Sequence, residues 1–263
     1  MKARSAALTV AGIVALSGLM GTARTPSSDA VSSAVERVWD GPNVDVPIVE
    51  GSALEQLDDL EVKGRAPMTG YDADASFGNA WSDAGTPNQI SGARDGCDTR
   101  NDILRRDLDN ITIKHSSNGC VVLTGTLADP YSGTTITWER GPQSSTVQVD
   151  HVVAKGNAWV TGAQQLSDQQ RLDFANDPLN LLAVDGPLNG SKSDSDAATW
   201  LPPTKTYRCE YVARQIAVKD RYDLWVTPPE QQAMRRVLNS CPDQPQADQG
   251  TAWKTPAPRE GVR

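Results

Sequence analysis

The sequence predicts an α+β fold, in which β-strands lie in the middle of the chain and helices lie around them. Short runs of β-branched residues occur between residues 111 and 150, whereas helical periodicity dominates before and after them. The chain has 263 residues, 38% of them hydrophobic, which is enough for one core or two small ones. Its four cysteines form an even set, so we expect two disulfides as well.

The first predicted helix covers residues 98–108, where Asp98 or Thr99 can act as the N-cap. The strands follow it, because each run is rich in β-branched residues and partly alternates in polarity. They cover residues 111–115, 121–127, 134–139 and 146–150. Turn-forming residues at 129–133 join the second and third strands as a hairpin.

Three further helices are predicted after the strands, over residues 167–176, 206–222 and 228–240. Ser167 and Gln170 have the spacing of a capping box, which indicates where the first of these helices begins. The other two are amphipathic, so each should bury one face.

The two ends of the chain lack these patterns. Residues 1–23 are typical of a secretory signal peptide, with two basic residues before an apolar run that is shorter than the roughly 20 residues of a membrane span. An uncleaved membrane anchor is the alternative. Residues 24–65 predict an acidic flexible leader, within which 52–60 can form a short helix, and residues 243–263 predict a disordered tail.

The cysteines agree with export, because none is in a C-x-x-C pair and an oxidising compartment would favour disulfides. Four cysteines allow three pairings. We favour Cys97–Cys120 and Cys209–Cys241, since each pair closes a local loop between neighbouring elements. The protein is therefore expected to be secreted, without stable membrane association once the signal is removed.

The formal net charge of −8 is unevenly distributed. Residues 24–92 carry 4 basic and 12 acidic side chains, whereas residues 93–242 carry 16 and 18. The middle of the chain can therefore still bind a polyanion, because the local charge and any bound cation decide this. Only two histidines are present, which excludes His-rich metal sites, and no G-x-S-x-G, H-E-x-x-H or G-x-G-x-x-G pattern occurs.

Of the two histidines, His115 lies in a polar stretch and is expected on the surface. His151 follows Asp150 at the end of a predicted strand. About 30 residues later, the segment NDPLNLLAVDGPLNGSKSD places Asn180, Asn189 and Lys192 around an apolar LLAV run. These residues are the candidates for a functional site.

Together, V-D-H-V-V-A, N-L-L-A-V and N-x-x-K resemble the HNH nuclease superfamily with its ββα-metal finger. The closer resemblance is to secreted HNH proteins that carry the domain of unknown function 1524, and it includes CDTRNDILRRDL, GTLADPYSG, TWLPP, YRCEYVARQ and VLNSCP. It implies an HNH nuclease domain over residues 66–242, with a ββα-metal core elaborated by extra strands and helices.

The resemblance also implies a role for each matching residue. Asp150 and Asn189 would be metal ligands, and Asn180 would brace the finger and orient His151. His151 would be the general base, a task that an ordinary imidazole pKa of about 6.5 suits. The commonest pattern of this superfamily has a histidine at the last position, where this chain has Asn189. Two oxygen ligands favour one Mg²⁺ ion, then Mn²⁺, and make Zn²⁺ a weaker candidate.

Two cations are candidates for substrate binding. Lys192 could contact a phosphate or be a solvated helix residue, and Arg100 could clamp a phosphate or be the buried partner of a carboxylate. Non-specific contacts with the phosphate backbone of a nucleic acid need only a positive charge close to the phosphates. Further candidates for such contacts are Arg105, Arg106, Lys155, Arg171 and Lys205. Three tryptophans, Trp159, Trp200 and Trp225, are expected to pack in the core.

The sequence thus predicts a secreted, monomeric, metal-dependent endonuclease that hydrolyses phosphodiester bonds in DNA, with RNA as a second substrate and little sequence specificity. Two alternatives come from other classes of protein. One is a secreted binding module on a catalytically silent HNH scaffold. The other is a cell-surface structural protein held by an uncleaved N-terminal segment.

Overall fold

The computed structural model describes residues 48–87, 89–90 and 92–248, which all lie within one unit of the chain. The predicted signal peptide, residues 24–47 of the predicted leader and residues 249–263 of the predicted tail lie outside the described residues. The helices that it describes are α1 (Ala53–Asp59), α2 (Ala73–Phe77), α3 (Thr99–Asp107), α4 (Lys155–Val160), α5 (Asp168–Asn176), α6 (Gly186–Lys192), α7 (Arg208–Arg221) and α8 (Pro228–Leu238). The strands are β1 (Leu108–Ile113), β2 (Val122–Ala128), β3 (Thr135–Glu139), β4 (Val147–His151) and β5 (Leu181–Asp185).

The strands form two small antiparallel sheets, which confirms the α+β prediction. One sheet has the order β1-β2-β3, and the other consists of β4 and β5 alone. In the second sheet Asp150 lies opposite Leu182 and His151 lies opposite Leu181. Helix α6 begins directly after β5, at Gly186, where a side chain would collide with the carbonyl oxygen of Ser145. The close approach of these two segments therefore requires glycine at this position.

Three clusters of buried side chains hold these elements together. The first packs α1 against α7 and α8, and the second packs α2 against α5 and the end of α7. The third lies between α3 and both sheets, where Ile103 and Trp138 meet Val149 and Leu181. Because β4 and β5 contribute to this third cluster, the strand that ends at His151 is anchored in the core.

The predicted leader and tail are corrected by the structure in the parts that it describes. Ser52 caps α1 by accepting a hydrogen bond from the Glu55 amide, and α1 buries Leu54 and Leu57. The backbone then pairs with the other end of the chain, since Ala53 donates to the carbonyl of Gln244. The short helix that the sequence allows over residues 52–60 is present as α1, so the ordered part begins before residue 66, and the described chain continues beyond residue 242.

Both favoured disulfides are confirmed, and they account for all four cysteines. Cys97–Cys120 ties the chain before α3 to the chain before β2, and Cys209–Cys241 ties α7 to the chain after α8. The predicted strand at 111–115 instead begins at Leu108, because α3 passes directly into β1. All helices in the described part of the chain are too short or too polar to span a lipid bilayer.

Removal of the first disulfide tests its contribution to stability. The cysteines of Cys97–Cys120 are 23 positions apart, and a loop of that size contributes about 3 kcal/mol by restricting the unfolded chain. We expect the double variant Cys97→Ser, Cys120→Ser to lose about this much free energy of unfolding in urea titrations. An unchanged unfolding midpoint would show that this disulfide does not stabilise the fold.

A buried carboxyl in α3 predicts a pH dependence of stability. Burial, and then repulsion by Asp95, raise the pKa of Asp102 from 3.8 to about 7, against the opposing charge of Arg105. Between these two pH values the native state binds the proton more tightly than the unfolded state, so raising the pH lowers the free energy of unfolding. When the pH is raised from 5 to 8, the melting temperature of the Asp102→Asn variant should fall less than that of the wild type. Equal losses in both proteins would contradict this assignment.

Candidate functional site

The candidate site is a cleft at the end of β4. Its volume is about 280 Å³, and residues lining it include Tyr71, Asp150, His151, Lys155, Asn189 and Asp194. Strand β4 supplies Asp150 and His151, α4 supplies Lys155, and α6 supplies Asn189. The structure therefore brings together both residues predicted as metal ligands and the predicted base.

The carboxylate of Asp150 is buried and accepts two strong hydrogen bonds. Its Oδ1 accepts from the Lys192 ammonium at 2.9 Å, and its Oδ2 accepts from the Tyr131 hydroxyl at 2.5 Å. Burial raises the pKa of Asp150, whereas the positive charge of Lys192 and the hydrogen bond from Tyr131 act in the opposite direction. The carboxylate is thus held in one orientation by groups from α6 and from the β2–β3 turn.

Lys192 is fully buried, so it does not lie where a solvent-facing phosphate contact would be. Besides its ion pair with Asp150, its ammonium donates to the main-chain carbonyl of His151 at 2.8 Å. From the sequence, Lys192 is a candidate either for a phosphate contact or for a solvated helix position. The structure instead makes this lysine the internal partner of Asp150.

The His151 ring is held on its edge and on its face. Its Nε2 lies 2.9 Å from the carbonyl oxygen of Ala175, which can only accept, so Nε2 carries the proton and Nδ1 carries the lone pair. The Trp81 indole stacks on the ring, with 5.8 Å between centroids and 14° between planes. Neither contact was expected from the sequence.

The pKa of His151 differs from the ordinary imidazole value that the sequence suggested. Burial lowers it to about 3, and the charges of Lys155 and Lys192 act in the same direction, against the hydrogen bond to Ala175. The ring is therefore neutral throughout the physiological pH range. A neutral ring is the form that can accept a proton, although its affinity for one is reduced.

Asn180 is fully buried and connects two segments beside His151. Its Oδ1 accepts from the Val153 amide at 2.8 Å, and its Nδ2 donates to the carbonyls of Val153 and Phe174. Phe174 precedes Ala175, whose carbonyl contacts the His151 ring. This asparagine thus ties the chain after β4 to the end of α5.

Two buried arginines hold the segment that contains Asn180. Arg106 donates to the carbonyls of Pro178 and Leu181, and Arg214 donates to the same two carbonyls and to that of Leu179. Arg106 also pairs with Asp107. The prediction that Arg106 contacts the phosphate backbone of a nucleic acid is therefore wrong, because its guanidinium donates to main-chain carbonyls of this protein.

Asn189 donates from Nδ2 to the Gln148 side chain at 2.9 Å, which orients its amide. Each carboxylate oxygen of Asp150 retains a lone pair beyond the one that its hydrogen bond uses, and the Asn189 amide oxygen is an acceptor as well. The donor set is thus oxygen only, which fits a hard divalent cation such as Mg²⁺ or Mn²⁺ better than Zn²⁺.

Arg100 is not brought to the cleft. Its guanidinium lies over the Trp138 ring, 5.8 Å from the centroid, and burial lowers its pKa. A second group of potential ligands in the described part of the chain lies at the start of α3 and just before it, and consists of Asp95, Cys97 and Asp102. The sulfur of Cys97 is in a disulfide, so it cannot act as a thiolate ligand and two carboxylates remain.

The sequence does not identify two residues of the site. Tyr131 was read only as part of a hairpin turn, and Trp81 lies in a polar loop with no recognisable pattern. Both reach the site through contacts between distant segments, 19 residues apart for Tyr131–Asp150 and further for Trp81–His151. No local sequence signal identifies such a contact.

Comparison with known proteins gives two matches. The family described as GmrSD restriction endonucleases, C-terminal domain, matches residues 98–237. The chain is also 36% identical over 192 residues to an "Uncharacterized secreted protein" of Arthroderma benhamiae, an alignment that covers 72% of this chain and 85% of that protein. No solved structure matches the chain significantly.

The role of Lys192 can be tested by stability alone. Lys192→Met would leave Asp150 buried without its cation, so we expect a loss of about 3–5 kcal/mol in the free energy of unfolding. The double variant Lys192→Met, Asp150→Asn should recover part of this loss, because neither charge remains. Lys205→Met, at an exposed position, is the matched control and should leave stability unchanged. Wild-type stability of Lys192→Met in urea titrations would contradict the buried ion pair.

Proposed function

Because the chain belongs to the family of the GmrSD restriction endonuclease C-terminal domain, we propose that it is a secreted, metal-dependent endonuclease that cleaves DNA with little sequence specificity. Membership of this family supports a nuclease and a nucleic-acid substrate. The type of site, its residues and its cation are part of the proposal. RNA is the second substrate that the same chemistry would accept.

The observation that carries the proposal is the arrangement of His151 in the unit formed by β4, β5 and α6. Two antiparallel strands followed at once by a helix have the order of a ββα-metal finger, and we propose that this unit is one. Asp150 and Asn189 line one cleft with His151, as that assignment requires. The hydrogen bond to Ala175 leaves Nδ1 of His151 as the ring nitrogen that can accept a proton.

In the proposed mechanism, His151 takes a proton at Nδ1 from the water whose oxygen bonds to phosphorus, while the bond from phosphorus to the 3′ oxygen breaks and that oxygen leaves with the electron pair. Asn180 keeps the segments on both sides of the ring in place. Lys155 lines the cleft and would attract the substrate phosphate. A divalent cation held by Asp150 and Asn189, Mg²⁺ first and Mn²⁺ second, would neutralise charge on the phosphate and on the leaving oxygen.

Two observations support secretion. The relative from Arthroderma benhamiae is named a secreted protein, and the four cysteines of this chain form two disulfides, which persist in oxidising compartments. We therefore propose that residues 1–23 act as a signal peptide. That the exported protein acts as a monomer is a separate part of the proposal.

One observation favours the alternative of a binding module without catalysis. The ammonium of Lys192 lies 2.9 Å from Asp150 Oδ1, so a positive charge of the chain itself already neutralises the proposed metal ligand. If this pair excluded a divalent cation, the fold would bind nucleic acid without cleaving it. The same experiment distinguishes the two functions.

The test is plasmid nicking by the purified protein with Mg²⁺, Mn²⁺, Ca²⁺ or Zn²⁺, and with EDTA. We expect cleavage with Mg²⁺ or Mn²⁺, none with EDTA, and a rate about 10²–10⁴-fold lower for His151→Ala, because a general base contributes that much. The matched control is His115→Ala, since His115 is exposed in a turn and should not affect the rate.

Three results would contradict parts of the proposal. If a folded His151→Ala variant cuts DNA at the wild-type rate, His151 is not the general base. Cleavage that persists in EDTA would show that the reaction does not require a divalent cation. Failure of the folded wild-type protein to cut DNA or RNA under every cation would support the binding module instead.

A further inference from the structure

The family match begins at residue 98, yet part of the cleft comes from residues before it. Tyr71 and Ala73 line the cleft, and Trp81 stacks on the His151 ring. We propose that Trp81 is a positioning residue for His151, so that the segment before the family match is part of the catalytic unit. This inference rests on the proposed function, because positioning matters only if His151 acts as the base.

The geometry of the His151 ring supports this role. The hydrogen bond from Nε2 to the carbonyl of Ala175 fixes one corner of the imidazole but still permits rotation about that bond. The Trp81 indole is nearly parallel to the ring, at 14°, and the 5.8 Å between the centroids is within the range that favours aromatic pairs. The two contacts together define the plane of the ring and hence the direction of the Nδ1 lone pair.

The backbone of Trp81 is itself held in one conformation. Its φ angle is 64°, a left-handed conformation that is uncommon for a bulky residue and persists only when the surroundings enforce it. The carbonyl of Trp81 accepts from the Thr99 amide, and the Thr99 hydroxyl donates to the carbonyl of Ser82. The start of α3 therefore fixes the backbone on which the indole depends.

Hydrogen bonds also join the segment just after Trp81 to the segment just before α3. The Asp83 carboxylate accepts from the amides of Asp95 and Gly96, and the next residue, Cys97, is bonded to Cys120. These contacts join the two ends of the loop beside α3. The indole is thus presented by a braced loop, and the family-matched part of the chain cannot supply it alone.

The placement of Trp81 can be tested without activity, because the chain has only two histidines. An indole stacked on His151 shifts the resonances of its ring protons upfield, and these can be compared with those of exposed His115 in proton–carbon NMR spectra of the whole protein. We expect Trp81→Leu to abolish the upfield displacement, Trp81→Phe to keep part of it, and both to leave His115 unchanged. Trp225→Leu is the matched control, since the Trp225 indole donates to the carbonyl of Gly64 and its ring lies beside Gly162. His151 resonances that do not move in Trp81→Leu would overturn the placement.

The functional consequence is tested by cleavage of a labelled DNA duplex. Misplacement of a reacting group by a fraction of an ångström is costly, so we expect Trp81→Leu to lower kcat about tenfold or more with little change in KM. Trp81→Phe should restore most of the rate, and Trp225→Leu should keep the wild-type kcat per folded molecule. A folded Trp81→Leu variant with wild-type kcat would overturn the inference. Inactivity of the wild type would instead contradict the proposed function, while the NMR displacement would still decide where Trp81 lies.

Discussion

The buried carboxylate of Asp150 is the constraint on which the rest of the site depends. A buried charge is strongly destabilising unless it is paired and its hydrogen bonds are made. The partners of Asp150 come from two other elements, Lys192 at the end of α6 and Tyr131 in the turn between β2 and β3. Strand β4 can therefore be buried only when α6 and the hairpin are both in place. The same ammonium binds the carbonyl of His151, so the residue beside the carboxylate is fixed by the same pairing.

Around this centre, side chains satisfy backbone carbonyls that no strand can reach. The segment that leads into β5 turns sharply, and Arg106 and Arg214 donate to the carbonyls of Pro178 and Leu179 and to that of Leu181, the first residue of β5. Buried carbonyls need such partners, so these arginines stabilise a loop in place of sheet hydrogen bonds. The loop in turn holds Asn180, which connects the chain beside His151 to the end of α5. The cleft is thus shaped by cations that face inward, although the chain as a whole is acidic.

Features set by short stretches of sequence were predictable. The capping box at Ser167, the strands and both disulfides follow from nearby residues, and the structure contains them. The grouping of Asp150, His151 and Asn189 followed from a family resemblance. What could not be predicted depends on distant contacts. A lysine is seldom fully buried, so the sequence predicts only a phosphate contact or a solvated helix position for Lys192, and neither is found. Likewise the pKa of His151 depends on burial and on Lys155, which no spacing in the sequence reveals.

The pairing of the two ends of the described chain has a consequence for how this unit can be rearranged. The amide of Gln246 donates to the carbonyl of Gly51, and Ser52 forms a bridge with Pro245. The chain therefore enters and leaves the fold at one place, as in domains that tolerate circular permutation and insertion. A short linker could join these ends while new ends are opened in a distant turn. The whole unit could equally be inserted as a domain into a surface loop of another protein, which would then contain the cleft.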